Sequence, residues 1–132
     1  MDKIRICALG GLDENGKNML MIEVNSDIIL IECGIKFPDS DQLGVEFIIP
    51  DFTYLIQNRS RIKGVFVTHG HDDISRALPY LIKQINVPIY TGAMSANVLR
   101  DLLKSEGLTN FYINKIKRTD NLKVGNIKVR TF

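Results

Sequence analysis

The chain has 132 residues, enough for one domain with its own core, and its 45% hydrophobic and 24% charged residues are the mixture of an ordinary globular fold. The longest aliphatic run, Ile28-Ile29-Leu30-Ile31, is far short of the roughly 18 apolar residues of a membrane helix, so no membrane association is expected. The net charge of +2 hides an asymmetry: residues 1–51 carry ten acids against four bases, and residues 52–132 carry thirteen bases against five acids.

The start, MDKIRICALGG, reaches Arg5 and a Gly-Gly pair before any apolar signal core could build. A cytoplasmic location with reduced thiols is therefore expected. Cys7 and Cys33 lie inside apolar runs and are expected as small buried hydrophobes. Together with the two histidines they fit no structural zinc template.

In chain order, Ile4, Ile6 and Ala8 alternate with Arg5 and Cys7, which predicts a strand. Met19–Val24 and Ile28–Cys33 are two further strands, joined by the turn residues Asn25-Ser26-Asp27. Residues 34–50, punctuated by Gly and Pro, form a long ordered loop, of the kind that packs over a site. After Asp51 helix and strand alternate. A short helix spans Phe52–Asn58, and a buried strand spans Gly64–Thr68. Asp73–Gln84 has helical spacing, which Pro79 should kink or split. Val87–Tyr90 is a short strand. Ser95–Ser105 is a helix with Val98, Leu99, Leu102 and Leu103 on one face and Gly107 as its stop. Phe111–Ile116, Leu122–Val124 and Ile127–Phe132 read as strands, the last two joined at Gly125-Asn126. The pattern is that of an α/β domain whose sheet is covered by helices.

Gly11-Leu12-Asp13-Glu14-Asn15-Gly16-Lys17-Asn18 nearly matches a phosphate loop. Asn18 replaces the hydroxyl residue, Asp13 and Glu14 would repel phosphate, and a strand follows where a helix must open. The glycines are expected instead to serve a tight strand-to-strand connection.

The two histidines fall in Thr68-His69-Gly70-His71-Asp72-Asp73, directly after the buried strand. In an extended exit, side chains two apart point the same way, so His69 and His71 can offer two imidazoles to one metal ion. Asp72 and Asp73 add carboxylates. Their other explanation is the preference of acids for the start of the next helix.

At these residues the chain resembles the ribonuclease J family, within the β-CASP group of the metallo-β-lactamase superfamily. The likeness rests on THGHDD, read against a His-x-His-x-Asp-His signature. It extends through ALGGLDENGKNM at residues 8–19, CGIKFPDSDQLGVEFIIPDFTYL at 33–55, IKGVFVTHGHDD at 62–73 and ALPYLIKQINVPIYTG at 77–92. The resemblance implies an αββα sandwich and a two-zinc hydrolase that cuts RNA from the 5′ end and internally. Two metals about 3.5–4 Å apart would hold a hydroxide and stabilise the phosphorane. By resemblance, His69 and His71 bind the first zinc, and Asp73 binds the second and is the catalytic residue implied.

The sequence departs from the signature in two places. Ile74 stands where the next histidine ligand would be, and Ser75 and Arg76 follow it in place of small apolar residues. Glu32 stands where an aspartate braces the metal loop. The resemblance also implies that the remaining ligands, the β-CASP domain and a C-terminal domain would lie past Phe132. Residues 1–132 are thus expected to be a partial lactamase-like domain with an exposed sheet face, inactive alone and holding no zinc or one zinc weakly. The partners implied are RNA and, in homo- or hetero-oligomers, ribonuclease J-type subunits. The alternative is a non-catalytic paralogue that binds RNA or pairs with an active subunit. Lys115, Lys117, Arg118, Lys123, Lys128 and Arg130 crowd the end of the chain, either for phosphate contacts or to guard a strand edge.

Overall fold

The computed structural model describes residues 1–132. Strands β1 (Ile4–Gly10), β2 (Met19–Val24) and β3 (Asp27–Ile31) form an antiparallel meander, with Ile6 opposite Ile22 and Ile22 opposite Ile29. Strands β4 (Ile62–Val67), β5 (Ile89–Thr91) and β6 (Ile113–Lys115) add to β3 in parallel, each beside the last. The sheet order is therefore β1-β2-β3-β4-β5-β6, with no reversal. Right-handed crossovers that always step the same way land on the same face. Helices α1 (Thr53–Gln57), α3 (Leu78–Gln84) and α4 (Ala93–Ser105) all pack there.

That face holds the main core. Met19, Ile28, Leu30, Val65 and Ile89 meet Leu55, Leu78, Leu81, Leu99 and Leu103, all fully or almost fully buried. The other face carries a two-stranded sheet, β7 (Asn121–Val124) and β8 (Ile127–Arg130), turning at Gly125-Asn126. Its Val124 and Ile127 cluster with Ile29 of β3, flanked by Phe66 and Tyr90, whose rings stack 4.8 Å apart. Asp27 anchors the turn: its carboxylate accepts the Asn126 N–H at 2.6 Å. A Cβ on Gly125 would come within 2.5 Å of that carboxylate oxygen. Helix layer, sheet and second sheet are thus stacked in the order of the first three layers of an αββα sandwich.

The region expected as one helix from Asp73 is two: α2 (Asp72–Ser75) and α3, with Pro79 in the first turn of α3. Proline lacks the amide that an interior helical position needs, and the first turn is where its absence costs nothing. Residues 34–50 form no regular element beyond a Lys36–Ile48 bridge.

Cys7 corrects the expectation of burial: it is exposed, whereas Cys33 is buried. β1 is the outer strand of the sheet and pairs only with β2, so alternation marks its two faces without either being well covered. Ile4 and Ile6 on its other face are 62% and 70% exposed for the same reason. The third strand also stops at Ile31, because Glu32 takes a left-handed backbone, φ +66°, and turns the chain off the sheet.

At the margin of the helix-covered face, ions replace apolar packing. Glu23 is buried and takes a short charge-assisted hydrogen bond from Arg61, with Arg5 3.8 Å away. The Arg61 hydrogen bond holds the Glu23 carboxyl below its ordinary range, against the opposing effect of burial. No helix is long and apolar enough to cross a membrane.

Candidate functional site

The histidine loop leaves the C-terminal end of β4, where a parallel sheet gathers its loop-borne chemistry. The ring centroids of His69 and His71 lie 4.4 Å apart, nearly perpendicular, so the two side chains leave the loop on the same side. Both side chains are exposed. Nδ1 of His69 lies 2.8 Å from the Thr68 hydroxyl, which leaves Nε2 as the nitrogen turned to other partners. Gly70 lets the loop close onto α4: a Cβ there would come within 2.9 Å of Val98.

Glu32 braces the loop from behind. Its two carboxylate oxygens share the Thr68 N–H, each at 3.3 Å. Burial raises its carboxyl above the ordinary range, and the Thr68 hydrogen bonds pull the other way. Burial pushes the neighbouring Cys33 thiol well above its ordinary range.

Asp73 is held by a different set of contacts. Asn18 donates its side-chain N–H to the Asp73 carbonyl at 3.1 Å and to its carboxylate at 3.3 Å, and the Asn18 backbone N–H reaches the same carbonyl at 3.2 Å. The main chain of 33–35 runs alongside. Cys33 N–H donates to Ile74 C=O at 2.7 Å, Ile35 N–H to Asp72 C=O at 3.0 Å, and Ala77 N–H to Cys33 C=O at 2.9 Å. The approach is so close that a Cβ on Gly34 would lie 1.7 Å from the Asp73 carbonyl oxygen. Sequence reasoning missed Asn18 and Gly34 as parts of this site. Gly34, an isolated glycine just past a strand, was the available signal for a close backbone approach.

Ile74 is half-buried and packs against the main core. Asp72 pairs instead with Arg76 at 3.0 Å along the helix. The glycine loop before Asn18 connects two strands and uses left-handed backbone at Gly11 and Gly16, and no helix opens behind it.

Two neighbouring imidazoles with a free Nε2 suit two corners of a tetrahedral site. Nowhere does the chain gather three or more His, Cys, Asp or Glu side chains around one point, because Asp73 is turned to Asn18 and Ile74 offers no lone pair. The residues present fit half of one metal site and do not close it.

The fold and this loop define a class. The profile of the Metallo-beta-lactamase superfamily matches residues 12–127, and the chain belongs to that superfamily. More particularly, it is similar to Ribonuclease J 1 of Streptococcus pyogenes, 38% identical over 132 residues, which is 99% of this chain and 24% of the relative. It is also 49% identical over 96 residues to Ribonuclease J of Mycoplasma pneumoniae, 72% of this chain and 17% of that one. Zinc-bound PqqB from Methylobacterium extorquens shares the fold, with a TM-score of 0.60 at 11% identity over 94% of this chain and 48% of that one. The chain therefore spans about a quarter or less of these curated relatives and about half of that solved chain.

Proposed function

We propose that this chain is the N-terminal part of the lactamase-like domain of a ribonuclease J-type nuclease, a cytoplasmic zinc-dependent hydrolase of RNA phosphodiesters. The observation that supports this best is the paired His69 and His71 rings at the end of β4, in a chain colinear over 99% of its length with a ribonuclease J. In this reading His69 and His71 are ligands of one zinc, and Asp73, now held by Asn18, is a ligand of the second once it turns from that contact. Residues outside 1–132 would supply the remaining ligands. Ile74 weakens the second position.

The test is a calorimetric zinc titration of the chain beside a His69→Ala, His71→Ala double variant. Weak binding in the wild type, lost in the double variant, is expected. Equal binding by both would overturn the assignment. A gel assay with 5′-monophosphorylated RNA should show no chelator-sensitive turnover by residues 1–132 alone, because the ligand set is not closed.

A second reading is favoured by Ile74 itself. Its packing on the core suits a non-catalytic paralogue that binds RNA or joins an active subunit. Full metal occupancy and turnover in the complete protein would exclude it.

A further inference from the structure

We infer that Thr91 and Ser75 are positioning residues for the histidine pair: their buried hydroxyls clamp the main chain at the two ends of the Thr68–His71 loop and hold the two rings together before any metal arrives. That the clamped rings serve metal capture rests on the ribonuclease J-type reading, and the clamp itself does not.

The chain buries four polar side chains, Glu23, Asp27, Ser75 and Thr91. The two acids have cations beside them, Arg61 and Lys63. The other two are hydroxyls, and each donates to a main-chain carbonyl at one boundary of the histidine loop. Thr91 Oγ1 reaches the Val67 C=O at 2.7 Å, just before the loop. Ser75 Oγ reaches the carbonyl of His71 itself at 2.9 Å. A buried hydroxyl without a partner is costly, so hydroxyl and carbonyl each fix where the other can lie.

An apolar residue would satisfy packing at both positions. Thr91 lies in β5 directly opposite Val67 and is fully buried, where a valine of the same shape is the ordinary occupant of a parallel strand. Ser75 closes α2, a single turn that is marginal alone, because nucleation fixes several residues for one hydrogen bond. Its hydroxyl adds a third donor to the His71 carbonyl, beside the N–H groups of Ile74 at 3.1 Å and Ser75 at 2.9 Å. A serine bonded back to the carbonyl four residues earlier is a common local habit. Here that carbonyl belongs to a histidine, and the chain's other buried hydroxyl serves the opposite end of the same loop.

Between the clamps, hydrogen bonding is sparse. The Thr68 N–H goes to the Glu32 carboxylate, and His69 and Gly70 make no hydrogen bond to another main-chain group. The separation of the two exposed rings is therefore set by where β4 ends and where α2 begins, the two points that the hydroxyls fix.

The test compares Thr91→Val and Ser75→Ala, which delete the oxygens, with Thr91→Ser, which keeps one. Ile85→Val is the control: it removes one buried methyl just before β5, at the opposite end of the sheet from the loop, at a stability cost like that of one hydrogen bond. The deciding readout is the nuclear Overhauser contact between the His69 and His71 ring protons in the metal-free protein. It should be strong in the wild type, in Thr91→Ser and in Ile85→Val, and should fall by half or more in Thr91→Val and in Ser75→Ala. Calorimetric zinc affinity should fall about fivefold in each of those two, the worth of one net hydrogen bond, and should hold in the others. Should Thr91→Val lose its cooperative melting transition, Ser75→Ala, which removes a single heavy atom, carries the test.

A ring contact absent from the wild type, or unchanged when the hydroxyls are deleted, would overturn the proposal. So would an equal loss in Thr91→Ser, which would assign the effect to the methyl group, or in Ile85→Val, which would assign it to general destabilisation. The His69→Ala, His71→Ala variant separates the two proposals. Hydroxyl-dependent ring contact with zinc uptake that survives loss of the histidines would leave the clamp standing and remove the zinc reading. Histidine-dependent uptake with a ring contact indifferent to both hydroxyls would do the reverse.

Discussion

The two faces of the six-stranded sheet are built to different standards. The helix-covered face buries twenty apolar residues in one continuous cluster, while the hairpin-covered face buries three. On the first, Leu81 and Leu99 are fully buried within a cluster drawn from three helices and four strands. On the second, Ile127 and Val124 meet Ile29 alone among buried residues, and the hairpin depends as much on Asp27 holding its turn as on apolar contact. One face supplies cohesion, and the other carries an appended element held at a few points. The histidine loop sits at the rim between them, leaving β4 beyond its last buried residue, Val67.

The comparison is most easily broken by truncating each core in turn. Leu81→Ala should cost about 4 kcal/mol by urea denaturation, and Ile127→Ala about 2 kcal/mol, at the low end for such changes, because the thin cluster can relax around the gap. Equal losses would mean that the two faces are equally load-sharing.

Gly125→Ala acts on the hairpin's anchor. The new methyl would collide with the Asp27 carboxylate, and φ is +59° there, so a loss of about 2 kcal/mol is expected. Hydrogen exchange should show residues 121–130 losing protection while α3 and α4 keep theirs. Uniform loss would show that the hairpin is integral to the main core.

Ile74→His tests the rim. The isoleucine contributes up to about 2 kcal/mol of apolar burial, part of which a histidine forfeits. The metal-free melting temperature should fall and, on the proposed zinc reading, the zinc bound, counted by mass spectrometry, should rise. An unchanged metal count would show that position 74 takes no part in holding a metal.

The smallest effect concerns Glu23. Its carboxyl is depressed in the folded state, so the stability it contributes is present above the unfolded pKa and is lost as pH falls through the lower, folded one. Stability measured below about pH 4.3 should therefore fall more in the wild type than in Glu23→Gln. Identical acid profiles would show that Arg61 and Arg5 do not hold the charge in solution.

The sequence made the helix-covered face legible, because that face is written locally. The period-3.6 spacing of α4, the β-branched run of β4 and the break at Pro79 each lie within one window of the chain. The identities of His69, His71 and Ile74 were equally plain. Cys7 was misjudged because alternation tells which side a residue faces and not whether anything covers that side. Asn18 escaped notice because its partner Asp73 lies 55 residues away, and no local spacing links an amide at the end of one loop to a carboxylate at the start of a distant helix. Only the missing side chain of Gly34 recorded that approach.

The bracing of residues 72–74 by the main chain of 18 and 33–35 has a consequence for how such a protein ages. Most of the hydrogen bonds that fix residues 72–74 run between main-chain amides and carbonyls, which are the same whichever side chain stands at position 74. An isoleucine at position 74 is carried with no penalty to folding, because it packs against the main core. Cellular quality control, which inspects exposed apolar surface and unfolding rate, has nothing to detect in such a change. Chemistry at this loop can therefore be lost by drift while the architecture around it persists, and a well-formed scaffold is no record of whether its reaction is still run.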